Sequence, residues 1–125
     1  EVYPLNHPDF NMVNWVFKEQ GCTDLNAINE LNEKMFDRSS CMDGDVYGER
    51  FITSHTTFTQ EDYGDSPIRF VERMGLTKEE WKKEQKITLL RAAIMTPYLN
   101  DDRIFNFYTK EIAKAMEKKL NEIIQ

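Results

Sequence analysis

The chain has two cysteines, two histidines, five glycines and four prolines in 125 residues, and each scarcity closes off a class of function. Histidines 48 positions apart, and cysteines with no ligand partner at short spacing, exclude the usual zinc motifs. Neither a glycine-rich phosphate loop nor a G-x-S-x-G elbow is present. No apolar run approaches the ~18 to 20 residues of a membrane-spanning helix. Nine asparagines include no N-x-Ser/Thr glycosylation acceptor. Internal repeats and low-complexity linkers are also missing. A chain of this length therefore reads as one domain, residues 1–125, able to bury roughly two-thirds of the surface that its unfolded form exposes.

Positive charge is scarce in the first half. Residues 1–65 carry four basic side chains (Lys18, Lys34, Arg38, Arg50) against thirteen acidic ones, a net of −9, whereas residues 66–125 carry twelve against nine, a net of +3. Such a split produces a dipole that steers a charged partner toward one face. With an overall net charge of −6 and no dense Lys/Arg cluster, a nucleic-acid backbone is excluded as partner. Lys82, Lys83 and Lys86 come nearest to such a cluster, and Glu79, Glu80 and Glu84 dilute them.

What is present reads as helices with recognisable ends. Pro8 and Asp9 suit a first helical turn, with Phe10, Val13 and Phe17 on one face and Gly21 as the stop. Thr23 or Asp24 caps a second helix in which Leu25, Ile28, Leu31 and Met35 recur at spacings of three and four. Met42 to Gly48 is rich in turn formers, and Phe51 to Thr59, rich in Thr, suits extended chain. Ser66-Pro67 opens a short helix ended by Gly75. Thr77-x-x-Glu80 is a capping box for a long helix from Lys78 to about Thr96, terminated by Pro97, with Trp81 as its anchor and a nearly all-apolar second half. Asn100 or Asp101 caps the last helix, where Phe105, Tyr108, Ile112, Met116, Leu120 and Ile123 form a stripe. The expected fold is all-α, a bundle of about five helices with a short extended or hairpin element near residues 50–59.

Catalytic constellations are missing. His7-Pro8-Asp9 spells the tripeptide of J-domain co-chaperones, but the first turn of a helix explains Pro and Asp there, and the chain departs from that family elsewhere. Asp37, Ser39, Asp43 and Asp45 around Gly44 fail as a calcium loop, because the twelfth position would be Arg50 instead of Glu. Glu61, Asp62 and Asp65 could include a glycosidase acid and base, but a nearby carboxylate trio is expected by chance among 22 acidic residues. The expectation is no enzyme, no metal and no cofactor.

Binding remains. Asp43, Asp45, Glu49, Glu61, Asp62 and Asp65 are interleaved with Tyr47, Phe51 and Tyr63, a mixture that attracts a basic protein by charge and holds it by aromatic contact. Asp43, Asp45, Tyr47, Glu49, Glu61, Asp62, Tyr63 and Asp65 are the candidate partner-binding residues. The alternative for this segment is a polar loop whose rings cover the core. Cys22 and Cys41 form an even pair in a small chain, the pattern of a structural disulfide in an oxidising compartment, within one chain or between two, with two buried free thiols in a cytosolic protein as the alternative. Glu1 in place of Met implies a removed signal peptide or a removed tag, and the cysteine pair favours the first and export.

An acidic, helical chain with the pair Cys22 and Cys41 and an acidic loop resembles the periplasmic immunity proteins that protect bacteria from peptidoglycan-degrading effectors of type VI secretion. In particular, it is similar to the immunity partner of a VgrG-type spike effector. That resemblance implies a periplasmic inhibitor, often a homodimer, that blocks the cleft of a basic peptidoglycan hydrolase. The competing expectations are a helical carrier of a small hydrophobic ligand, with fifteen aromatics and six methionines as cavity lining, and an assembly subunit.

Overall fold

The computed structural model describes residues 1–8, 11–39, 53–93 and 100–125. Along the chain run β1 (Val2–Pro4), β2 (Met12–Phe17), α1 (Leu25–Ser39), β3 (Ser54–Thr59), α2 (Gln60–Tyr63), α3 (Ile68–Arg73), α4 (Lys78–Glu84), β4 (Lys86–Ala93) and α5 (Asp102–Ile124). The strands form one antiparallel sheet in the order β1-β2-β4-β3. The fold is α+β, which corrects the all-α expectation.

Two segments carry that correction. Phe10, Val13 and Phe17 suggest a helix, yet Met12–Phe17 is the strand β2, rich in β-branched and aromatic residues and paired on both sides. The long helix from Lys78 stops at Glu84. Gln85 takes left-handed backbone (φ 58°, ψ 12°) and its N–H closes on Trp81 O at 2.8 Å, so the chain leaves α4 as a strand. Ile87 to Leu90 is apolar apart from Thr88 because β4 is central and covered on both faces, not because it is a buried helix. Elsewhere the expected elements stand: α1 covers the second helix, β3 the extended stretch, α3 the short helix after Pro67, and α5 the last helix.

The sheet divides the core. On one face Val16, Ile87 and Leu89 meet Phe70, Val71, Met74 and Leu76 from the α3 region, the fully buried Trp81 of α4, and Leu25 and Ile28 of α1. On the other face Trp15, Phe17 and Leu90 meet Leu31 and Met35 of α1, with Met116, Leu120 and Ile123 of α5 packed alongside. α1 thus serves both faces, its start in one cluster and its end in the other.

It does so where the sheet forks. β2 and β4 pair from Met12 and Ala93 to Trp15 and Leu90, and the same register carried on would set Phe17 opposite Thr88. Two asparagines of α1 fill that position instead. Asn32 Oδ1 accepts from Phe17 N–H at 2.8 Å, and Asn32 Nδ2 donates to Phe17 O and to Ile28 O, both at 2.8 Å. Asn29 Oδ1 accepts from Thr88 N–H at 2.9 Å and its Nδ2 donates to Lys86 O at 3.1 Å. Each side-chain amide replaces a missing strand neighbour, and both residues are fully buried. Glu33 adds a rim contact, accepting from Thr88 Oγ1 at 3.2 Å and pairing with Lys86 at 3.6 Å.

Caps fix the remaining joints. Asp24 Oδ1 accepts from Asn26 N–H at 2.9 Å at the start of α1. Thr77 Oγ1 accepts from Glu80 N–H at 3.3 Å, but the Glu80 carboxylate accepts from Leu25 N–H at 3.2 Å, so half of the expected capping box ties α4 to the start of α1. Asp101 caps α5, its Oδ1 accepting from Arg103 N–H at 2.9 Å and Ile104 N–H at 3.4 Å. The Arg103 guanidinium, with those two main-chain donors, holds the Asp101 carboxyl below its ordinary 3.8.

Two outcomes are expected. Asn32→Leu strands the buried N–H and C=O of Phe17 and lowers unfolding free energy by about 2 to 5 kcal/mol in urea titrations. Asn26→Ala, on the exposed side of the same helix, changes it by less than about 0.5 kcal/mol. Because the Asp101 carboxyl is depressed in the folded state, its cap is intact above the unfolded value of 3.8 and is lost as pH falls through the lower folded value. Amide exchange at Arg103 and Ile104, corrected for intrinsic rates, therefore accelerates as pH falls through the lowered Asp101 value, and Asp101→Asn, which still caps, removes that acid dependence.

Candidate functional site

Of the eight candidate partner-binding residues, Glu61, Asp62, Tyr63 and Asp65 are among the described residues, all exposed around α2. Asp43, Asp45, Tyr47 and Glu49 lie outside them, as do Cys41 and the turn formers from Met42 to Gly48. Asp62, Tyr63 and Asp65 have local work around α2. Thr59 caps the turn by accepting from Asp62 N–H, and its hydroxyl donates to Asp62 Oδ2 at 2.8 Å. Gln60 Nε2 donates to Asp65 at 3.4 Å, and the Tyr63 ring lies 4.5 Å from that of Phe58. Glu61 is exposed on the same turn. Cys22 is a half-buried free thiol whose S–H donates to Asp24 O at 3.6 Å.

A cleft of about 240 Å³ opens between the start of the chain and the end of α5, lined by Glu1, Phe17, Lys18, Leu31, Leu120 and Ile124, among others. Lys18 is the buried cation there. Its ammonium pairs with Glu1 at 3.2 Å, donates to Cys22 O at 3.2 Å and sits 5.8 Å from the Tyr3 ring centre. Hydrogen bonds from Lys18 and then Tyr3 hold the Glu1 carboxyl below its ordinary range. These contacts engage the Lys18 ammonium in tying β1 to the turn after β2. No group of three or more His, Cys, Asp or Glu positioned for a metal ion occurs among the described residues.

The most unusual surface is on α5. This 23-residue helix carries the apolar stripe expected from sequence, but only its second half is seated. Met116, Leu120 and Ile123 pack on the cluster around Trp15, Phe17, Leu31 and Met35, and ion pairing of Arg38 with Glu122 at 3.8 Å and a hydrogen bond from Lys119 to Arg38 O fasten that end to α1. At 100° per residue, Phe105, Tyr108 and Ile112 continue the same stripe toward the start of the helix. They are 47%, 52% and 36% exposed. Phe107, 61% exposed, points to the opposite side, its ring meeting Tyr108 edge-on at 5.6 Å. Thr109 turns its hydroxyl back onto Phe105 O at 2.8 Å, so that donor is satisfied within the helix.

Sequence periodicity locates the stripe but does not say which part is covered. It also passes over Asn29 and Asn32, although a signal exists: both fall in the middle of the face marked by Leu25, Ile28 and Met35, where an unpaired amide would be costly.

Comparison with known proteins identifies the lineage. The family model described as "Tyrosine decarboxylase, C-terminal" matches residues 1–120. An L-tyrosine decarboxylase of Enterococcus faecium is 94% identical over the whole chain, one of Enterococcus faecalis 50% identical over 98% of it, and one of Levilactobacillus brevis 43% identical over 98%. The chain spans 20% of the length of each of these relatives.

These matches overturn the immunity-protein resemblance and, with it, the inhibitor and ligand-carrier functions, the peptidoglycan-hydrolase partner and the expectation of no enzyme. Shared profile misleads there, since acidity, helices and a cysteine pair are common to unrelated folds. The periplasmic expectation is corrected too: it rested on the pair Cys22 and Cys41, the first residue and the immunity resemblance, whereas the relatives are L-tyrosine decarboxylases, and in a segment spanning a fifth of their length the first residue says nothing of a leader. With a family model covering nearly all of its length and relatives this similar, the chain belongs to the tyrosine decarboxylase C-terminal family.

Proposed function

We propose that this chain is the C-terminal part of an L-tyrosine decarboxylase, a folded module that serves the removal of the α-carboxyl group from L-tyrosine by the whole protein. The observation that carries this reading is the 94% identity to an L-tyrosine decarboxylase across all 125 residues. In the reaction the Cα–carboxylate bond breaks, CO2 leaves and a proton takes its place on Cα, giving the aryl-ethylamine.

Loss of CO2 leaves an electron pair on Cα, for which pyridoxal phosphate is a common electron sink. Holding that group requires a lysine free to form a Schiff base and donors for its phosphate. Lys18, the buried lysine among the described residues, is engaged by Glu1 and Cys22 O, and so does not fit. What the described residues supply is a rigid α+β body: the asparagine-filled fork locks α1 to the sheet, and α1 with the sheet seats the second half of α5.

The full-length polypeptide containing this sequence should release CO2 and the corresponding amine from L-tyrosine, and the reading fails if purified, folded protein leaves L-tyrosine unchanged while decarboxylating another amino acid. Amine production followed by chromatography over a panel of L-amino acids decides the point.

A further inference from the structure

We infer that the exposed apolar face of α5, formed by Phe105, Tyr108 and Ile112, is the seat on which the preceding part of the same decarboxylase polypeptide docks. The inference rests on the reading of the chain as part of a decarboxylase.

Three observations point to that occupant. The stripe is continuous with a face that is already an interface, since Met116, Leu120 and Ile123 on the same line of the helix are packed on the core. A surface-facing helix carries apolar side chains on the side it buries, so a stripe half seated and half bare has an occupant for the bare half. The relatives are about five times the length of this chain, and the matched family is a C-terminal one, so most of such a polypeptide precedes this segment. Glu1 lines the same cleft as Leu120 and Ile124, which puts Glu1 beside the seated end of α5. From Leu120 to Phe105 is fifteen residues, roughly 22 Å along the helix, well within one domain's width.

The chemistry of the face selects an apolar occupant. Phe105, Tyr108 and Ile112 are flanked by Asn106, Thr109 and Ala113, and Thr109 has its hydroxyl satisfied by main-chain oxygens of Phe105 and Asn106. Arg103, Lys110, Lys114 and Lys118 fall on the far side with Phe107, while Asp102 sits at the N-terminal rim of the face, one turn before Phe105. Lys114 pairs there with Glu111 at 3.1 Å. Tyrosine at the edge of such a patch gives ring area while its hydroxyl reaches the rim.

Hydroxyl-radical footprinting of the full-length protein, read residue by residue by mass spectrometry, tests this with Phe107 as internal reference. Phe105 and Tyr108 should oxidise several-fold more slowly than Phe107, relative to their intrinsic reactivities, and the ratio should not change across a dilution series. Oxidation of Phe105 and Tyr108 at rates equal to or above that of Phe107 overturns the inference. Protection that falls on dilution overturns it as well, by assigning the face to a second copy of the chain. Amine production from L-tyrosine is measured on the same preparation. Active protein with both rings open refutes the docking alone, whereas protected rings in a protein inactive toward L-tyrosine refute the functional reading and leave the face occupied.

Discussion

Everything in this fold depends on how two buried asparagines complete a sheet that splits. β2 and β4 stop pairing after Trp15 and Leu90, and the main-chain groups of Phe17 and Thr88 are left in an apolar interior. A buried peptide group without a partner costs on the order of 1 to 3 kcal/mol, so the fork would be prohibitive unless filled. Asn29 and Asn32 fill it with hydrogen bonds of 2.8 to 3.1 Å. Their orientations are forced, because a main-chain N–H donates only to the amide oxygen and a main-chain carbonyl accepts only from the amide nitrogen.

From that constraint the rest follows in order. With α1 held in the fork, its first turns supply Leu25 and Ile28 to one core and its last turns supply Leu31 and Met35 to the other. The first core is closed by Trp81, whose Nε1–H donates to Gly64 O at 3.2 Å, so the acidic turn around α2 is tied to the core through its backbone. The second core is closed by α5, which reaches beyond the surface it covers. A module built this way presents a helix whose first half leaves Phe105, Tyr108 and Ile112 exposed.

The legibility of the sequence is uneven for physical reasons. Capped helices declare themselves: Asp24, Thr77 and Asp101 accept the expected main-chain bonds, and the extended character of Ser54–Thr59 shows in its threonines. β4 reads as helix because a central strand covered on both faces shows no alternation, and the reversal at Gln85 lacks the glycine that usually marks left-handed backbone. β2 reads as helix because Phe10, Val13 and Phe17 happen to fall at helical spacing. The functional expectation fails for a different reason. Charge and cysteine content describe a surface and a redox setting, and neither identifies a lineage.

Hydrogen exchange at the amides of Phe17 and Thr88 tests the central claim most directly. If Asn32 and Asn29 are their acceptors throughout the folded state, both amides exchange only through global unfolding and match the slowest amides of the paired ladder, such as Leu90. Exchange at Phe17 and Thr88 much faster than at Leu90 would show that the fork opens independently of the fold, and the asparagines would then be passengers of α1 and not the elements that hold it.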